Sequence, residues 1–102
     1  MTPDRTEEVR LLARLTARPG REQALRDAIA DLVPRVLVED GCIAYHAHVS
    51  DAAPATVVMY EAWRDQAALD VHAAGPALAE LAARFDDLLA EPMALEPLRR
   101  FA

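Results

Sequence analysis

The chain has 102 residues, a length typical of one domain with a modest core. Its formal net charge is −6, and no basic run is longer than Arg99-Arg100, which disfavours nucleic acid as a partner because that partner requires clustered positive charge. A single cysteine excludes an internal disulfide framework and is typical of a reducing compartment. No apolar run approaches membrane-spanning length and the N-terminus lacks a signal-peptide core, so we expect a cytoplasmic protein without a membrane partner.

The first half of the chain predicts a strand followed by a helix. We expect residues 1–7 to be a flexible lead-in and residues 8–102 to form the domain. Residues 8–17 alternate between apolar and polar side chains, as a strand does. Residues from Arg21 onward follow a helical period, and Pro34 is expected to kink or end that helix. The apolar residues of the two faces are Val9, Leu11, Ala13 and Leu15, then Leu25, Ala28, Ile29, Leu32 and Val36.

The second half predicts a hairpin, helical segments and a last strand. Residues 42–50 and 55–63 are rich in β-forming residues, and the short loop between them indicates an antiparallel hairpin. Asp65 is a suitable N-cap for a helix that stops at Gly75-Pro76. One further helix is expected through Leu89, and residues 92–101 are expected to be a strand that Pro97 confines to a sheet edge or bulge.

This order of elements predicts an α+β fold of the ferredoxin-like β-α-β-β-α-β type. Such a fold has a four-stranded antiparallel sheet with the helices on one face. The other face of the sheet is left open. Because the strands are apolar, we expect a second copy of the chain to cover that face, which makes the protein a homodimer.

Residues 39–72, "EDGCIAYHAHVSDAAPATVVMYEAWRDQAALDVH", carry a family resemblance. The Gly-Cys-x-x-Tyr strand, the Glu-x-Trp strand end and the Asp-led helix with its histidine resemble the antibiotic biosynthesis monooxygenase family, which includes quinol monooxygenases. The resemblance implies a dimeric α/β barrel. It also implies oxidation of a small aromatic substrate, a quinol or a phenolic polycyclic, by molecular oxygen without flavin, haem or metal. The chain has no dinucleotide fingerprint and no phosphate-binding loop, in agreement with the absence of a cofactor.

Five residues are candidates for the site of this chemistry. Tyr45, Met59, Glu61 and Trp63 lie on one side of the hairpin if the strands pair in a suitable register, which the sequence does not give. If that side faces the helices, His72 closes a chamber above it. His72 or Glu61 would then be the catalytic base, with histidine better matched to neutral pH, and Trp63, Tyr45 and Met59 would bind the substrate.

Other interpretations of the same residues stay open. Trp63 is equally typical of a core anchor, Glu61 of a partner for an arginine, and His72 of a residue that hydrogen-bonds a helix end. The alternative function is therefore a non-catalytic dimeric module that binds a small aromatic ligand or serves assembly. An oxygenase requires a titratable base that faces an apolar cavity, whereas a binding module requires only the cavity.

The pair His46 and His48 raises the separate possibility of a metal site. Two histidines two positions apart on a strand point the same way, as zinc ligands do, and His72 is a conceivable third ligand. The pair has the opposite parity to Tyr45, however, and of the remaining ligand types only Cys42 is expected on its face. We therefore predict no metal, and Cys42 is interpreted as a small buried apolar residue.

The haem-degrading branch of the same family differs from this chain at three positions. That branch resembles the chain in layout but has an asparagine, a tryptophan and a histidine where our alignment gives Ala13, His72 and Ala82. The absent histidine disfavours haem degradation.

Overall fold

Eight elements form in the computed structural model, which describes residues 7–102. The expected lead-in lies outside the described residues, apart from Glu7. The elements are β1 (Val9–Thr16), α1 (Glu22–Leu37), β2 (Cys42–Val49), β3 (Thr56–Trp63), α2 (Gln66–Ala73), α3 (Pro76–Ala82), α4 (Phe85–Leu88) and β4 (Ala94–Leu98).

The strands form one antiparallel sheet in the order β2-β3-β1-β4. The helices pack on one face of it, so the predicted ferredoxin-like arrangement is confirmed. β4 is an edge strand and contains Pro97, as predicted, since an edge strand tolerates the missing backbone donor of proline. It is shorter than expected, because only its central five residues, Ala94–Leu98, pair with β1.

The core lies between the sheet and the helices. The inner face of β1 buries Leu11, Ala13 and Leu15, and the apolar stripe of α1 packs against the same space. Burying a leucine-sized side chain contributes about 1.5–3 kcal/mol, so these two elements supply much of the stability of the fold. The buried residues of α1 are Leu25, Ile29, Leu32 and Val36.

Pro34 does not end α1, which was one of the two effects expected of it. The helix continues through it to Leu37. Pro34 itself is exposed, whereas Leu32 and Val36 on either side are buried in the core. The packing of these two side chains holds the last turn in helical form despite the lost backbone hydrogen bond.

The prediction of one continuous helix after Gly75 is wrong in part. Pro76 opens α3 as predicted, but the helix breaks at Ala83 and resumes as the short α4. The break turns the following chain toward the end of β1, where Leu89 forms a bridge with Ala17. The backbone there is satisfied by bonds from Arg18 N to Leu88 O at 2.8 Å and from Ala90 N to Thr16 O at 2.9 Å.

A β-bulge near the start of β2 changes the face of Cys42. The register shifts between Cys42 and Ala44, so Cys42 pairs with Trp63 and packs at the edge of the core. The expectation that Cys42 shares a face with His46 and His48 is therefore wrong. The extra residue, Ile43, is 50% exposed rather than aligned with Tyr45.

Within residues 7–102, none of the helices is long and apolar enough to span a membrane.

Candidate active site

A cavity of about 70 Å³ lies between the inner face of the sheet and the helices. Its walls come from all four strands, with Tyr45 the contribution of β2, and from the helices α1, α2 and α3. The lining is apolar with three polar exceptions, Tyr45, Glu61 and His72. The apolar lining residues are Leu11, Ala13, Leu15, Ile29, Leu32, Met59, Leu69, Ala73, Leu78, Leu81, Met93 and Leu95.

The hairpin register brings the predicted strand residues to the cavity. Tyr45 on β2 is directly opposite Glu61 on β3, and Ala47 is opposite Met59. Opposite residues of an antiparallel pair project from the same face, so Tyr45, Met59 and Glu61 all face the helices. Tyr45 is 3% exposed and Glu61 is 5% exposed.

α2 brings His72 over the same space. Asp65 caps the helix as predicted, its carboxylate accepting from Ala68 N at 2.8 Å. His72 lies in the last turn and is only 3% exposed. Its ring is edge-on to Tyr45, with the ring centroids 5.4 Å apart. The expected position of His72 above the inner face of the hairpin is therefore what the structure shows.

Trp63 supports this group but does not line the cavity. It is fully buried and stacks on His72 with ring centroids 4.6 Å apart and an interplanar angle of 28°. Its indole Nε1 donates to Glu61 Oε1 at 3.1 Å. Trp63 therefore contacts both candidate bases, and it also packs edge-on against Tyr45 with the ring centroids 6.5 Å apart.

Glu39 is the functional candidate that the sequence did not single out. Its Oε1 lies 2.9 Å from His72 Nδ1, and its side chain is 24% exposed. With Nδ1–H donating to Glu39, the ring carries its lone pair on Nε2. That nitrogen is 3.9 Å from Glu61 Oε1, which is too long for a hydrogen bond. Nothing in the spacing of residues 39 and 72 reveals this contact, because it depends on the turn between α1 and β2.

Gly41 fixes the turn that carries Glu39. It has a φ of +82°, and a Cβ at this position would lie 2.5 Å from the Cβ of Ala68 on α2. The turn is tied to the start of α2 by a bond from Arg64 N to Gly41 O at 2.7 Å and by an ion pair between Arg64 and Asp40. Only glycine allows this close approach, which sets Glu39 beside His72.

Burial dominates the electrostatics of the site. It raises the pKa of Glu61, an effect that the Trp63 hydrogen bond and the nearby His72 partly offset. Burial, with the charges of Glu61 and Glu39, raises the pKa of Tyr45 well above its ordinary value. The Tyr45 hydroxyl therefore keeps its proton at neutral pH and is available as a donor.

Of the five predicted site residues, four line one cavity and the fifth contacts three of them. Tyr45, Met59, Glu61 and His72 are brought together, while Trp63 packs against Tyr45, Glu61 and His72 without lining the cavity. Their roles in binding and catalysis stay predictions.

His46 and His48 lie on the opposite face of the sheet. They pair with Tyr60 and Val58 of β3 and are exposed, and His48 Nδ1 is 3.1 Å from Val58 O. The sheet separates them from His72, so the three histidines do not converge. In the described part of the chain, no group of three or more histidine, cysteine or acidic residues is arranged to hold a metal ion.

Known proteins share both this sequence pattern and this fold. "Putative monooxygenase Rv0793" of Mycobacterium tuberculosis is 32% identical over 93 residues, which covers 91% of each chain. "Probable quinol monooxygenase YgiN" of Escherichia coli K12 is 37% identical over 76 residues, which covers 65% of this chain and 73% of that protein.

The solved structures agree with this relationship. The structure of Rv0793 superposes with a TM-score of 0.87 at 29% identity, covering 94% of this chain and 97% of that one. The structure of PA3566 from Pseudomonas aeruginosa superposes with a TM-score of 0.88 at 29% identity, covering 98% and 100%. The family model described as "Antibiotic biosynthesis monooxygenase" matches residues 8–84, more than half of the chain. The chain therefore belongs to the antibiotic biosynthesis monooxygenase family.

Proposed function

We propose that this protein is a cofactor-independent monooxygenase that oxidises a quinol or a phenolic polycyclic aromatic with molecular oxygen. The observation that carries the proposal is the buried His72, which lines an apolar cavity while Glu39 occupies its Nδ1. A relative described as a quinol monooxygenase supports the substrate class.

His72 is the leading base in this proposal. Histidine readily takes up and releases a proton near neutral pH, and the Glu39 contact leaves Nε2 as the accepting nitrogen. A phenolic hydroxyl placed between His72 Nε2 and Glu61 reaches both, because the two atoms are 3.9 Å apart. Glu39 stabilises the imidazolium that forms, and Glu61 is the alternative acceptor of the proton.

The remaining polar group stabilises the substrate anion. The Tyr45 hydroxyl stays protonated and donates to the phenolate oxygen, and Met59 contributes to the apolar wall that excludes water. Trp63 influences substrate binding by positioning His72, on which it stacks, and Glu61, to which it donates a hydrogen bond.

The oxygen chemistry then belongs to the substrate anion. For an anthrone, the anion transfers one electron to O₂, and the substrate radical and superoxide combine to form a carbon–oxygen bond. The peroxide takes up a proton, and loss of water cleaves its O–O bond and leaves a new carbonyl group. One oxygen atom enters the product and the other leaves as water, so no external reductant is consumed.

We also propose that the protein acts as a cytoplasmic homodimer in which two sheets face each other. The open face carries several partly buried residues at its centre, among them Leu12, Val58 and Tyr60. Covering that face with a second copy removes this apolar surface from water and closes the barrel that the family resemblance implies.

Oxygen uptake tests the proposed reaction. Purified protein in chelator-treated buffer is given a panel of hydroquinones, naphthols and anthrones, with no added cofactor. We expect uptake above the autoxidation blank, and we expect His72→Gln to lower kcat by about 100-fold or more. Asp27→Asn, a change of one exposed side chain on α1 away from both the cavity and the open face of the sheet, is the control, and we expect it to retain activity. Binding of the panel without uptake would instead favour a non-catalytic aromatic-binding module.

A further inference from the structure

The polar groups of the cavity form a single buried cluster. Tyr45 and Glu61 are direct cross-strand neighbours, and the ring of His72 lies against Tyr45. Each of the three is at most 5% exposed. These three side chains are together in one place, which suits a ligand that enters the cavity with one of its ring hydroxyl groups first.

Solvent reaches the cavity lining at a different set of residues. Five lining residues are exposed or partly exposed, and all five are apolar. They come from α2, from α3 and from the segment that enters and forms β4. These rim residues are Leu69, Ala73, Leu78, Met93 and Leu95.

The rim gives the entrance a composition unlike that of an ordinary surface. Leu95 is 58% exposed although it is a large apolar side chain, and it is directly opposite Ala13 in the cavity wall. An entrance with apolar side chains from three segments favours an apolar portion of the ligand at the mouth rather than a charged or polar one.

The cavity is small for a fused-ring ligand. Its volume of about 70 Å³ is well below the roughly 150 Å³ of an engineered cavity that holds benzene and the roughly 300–1,000 Å³ of typical ligand sites. One aromatic ring enters by displacing flexible side chains such as Met93, whereas three fused rings require the core leucines to move as well.

We infer that the ligand of this cavity is a single-ring phenol or hydroquinone with an aliphatic substituent, whose ring hydroxyl reaches Tyr45, Glu61 and His72 and whose chain leaves through the apolar rim. The inference rests on the proposed function for its chemistry and narrows that function to the quinol branch. It concerns binding, so it can fail or succeed independently of turnover.

Calorimetric titration with 4-alkylphenols tests the inference without any oxygen chemistry. Phenol, 4-ethylphenol, 4-butylphenol and 4-hexylphenol are titrated into the full chain. We expect one site per chain and a Kd that falls about threefold to fourfold per methylene, levelling off once the chain passes the rim. A Kd independent of chain length would overturn the inference.

A pair of ligands with equal carbon number separates the two shapes. 4-Butylphenol and 1-naphthol both have ten carbons and one hydroxyl, but only naphthol has fused rings. We expect the butyl compound to bind more tightly. Tighter binding of 1-naphthol would contradict the single-ring inference and favour the fused-ring class.

Variants locate the exit of the chain. Leu95→Ser places a polar group on the rim, and we expect it to weaken 4-hexylphenol binding by about tenfold and phenol binding much less. Leu37→Ser is the matched control, because Leu37 is 45% exposed and lies at the end of α1 outside the cavity. Equal losses in the two variants, or the same loss for phenol and hexylphenol in Leu95→Ser, would refute the exit route.

The two proposals fail in different ways. Chain-length-dependent binding without oxygen uptake by alkylhydroquinones would leave the ligand class intact and reject the oxygenase. Oxygen uptake with anthrones, together with a flat alkylphenol series, would retain the oxygenase and reject the ligand class.

Discussion

At the scale of single residues, Glu61 is a carboxyl group that is almost completely buried. Its raised pKa means that the folded protein binds the Glu61 proton more tightly than the unfolded chain does. The stability from that proton is complete below the ordinary carboxyl value of 4.5 and is lost as the pH rises through the folded-state pKa.

Glu61→Gln removes this dependence while keeping an oxygen acceptor for Trp63. We expect the free energy of unfolding of the wild type to fall relative to the variant as the pH rises above about 4.5. Urea unfolding of both proteins between pH 4 and 8 measures the difference. A constant difference across that range would show that Glu61 does not titrate abnormally.

Glu39 acts through His72 in the proposed mechanism. Glu39→Gln keeps the size of the side chain but removes the charge that stabilises the imidazolium. We expect kcat to fall by roughly 10–100-fold with KM little changed, and the pH profile of kcat to shift. Steady-state oxygen uptake from pH 5 to 9 measures both effects, and Glu22→Gln in the first turn of α1, outside the cavity lining, is the control. An unchanged pH profile would leave Glu39 with a structural role only.

At the scale of elements, the turn between α1 and β2 has no room for a side chain at Gly41, whereas the turn before α1 has room for one at Gly20. Gly41 has a φ of +82° and faces Ala68 closely, whereas Gly20 has a φ of +83° and a Cβ added there would meet nothing within 4 Å. Both positions favour glycine by conformation, but only Gly41 needs it for contact.

The two glycine-to-alanine variants therefore form a matched pair. Gly20→Ala is expected to lose about 1–2 kcal/mol from backbone strain alone. Gly41→Ala is expected to lose about 1 kcal/mol or more in addition, because the turn must move away from α2. Urea unfolding measures both losses. Equal losses would mean that the close approach to Ala68 contributes nothing.

Local sequence patterns predicted some features of these elements and missed others. The period of β1 and α1, the Asp65 cap and the Gly75-Pro76 boundary are local signals, and each predicted its element correctly. The bulge beside Cys42 and the break after α3 are decided by tertiary contacts, so local patterns missed them.

The features of the site also fall into those that local sequence patterns predict and those that depend on tertiary contacts. Strand parity grouped Met59 with Glu61, because side chains alternate along any strand. The place of Tyr45 beside them depends on the hairpin register, which the structure supplies. The contact of Glu39 with His72 was beyond reach, since it depends on how one turn packs against α2. The position of Trp63 behind His72, rather than on the cavity wall, likewise follows from packing.

At the scale of the whole molecule, the open face of the sheet is the surface on which the proposed dimer depends. Leu12 lies near the centre of that face, between Tyr60 of β3 and Glu96 of β4. Leu12→Asp buries a charge in the proposed interface, and we expect it to convert a dimer into a monomer.

Sedimentation equilibrium measures this change. Val71→Asp is the control, because Val71 is 70% exposed on the outer side of α2, and it should sediment as the wild type does. A wild-type protein that sediments as a monomer would contradict the proposed homodimer.

The central claim is that the chain inserts one atom of molecular oxygen into its substrate, and isotope labelling tests it most directly. The protein is supplied with ¹⁸O₂ and the best substrate of the panel, in metal-free buffer, and the product is analysed by mass spectrometry. The account predicts one ¹⁸O atom in the product per O₂ consumed, with the label lost in His72→Gln and retained in Asp27→Asn. Unlabelled product with an equivalent of hydrogen peroxide would contradict it, because the protein would then be promoting simple oxidation of the substrate and not oxygenation.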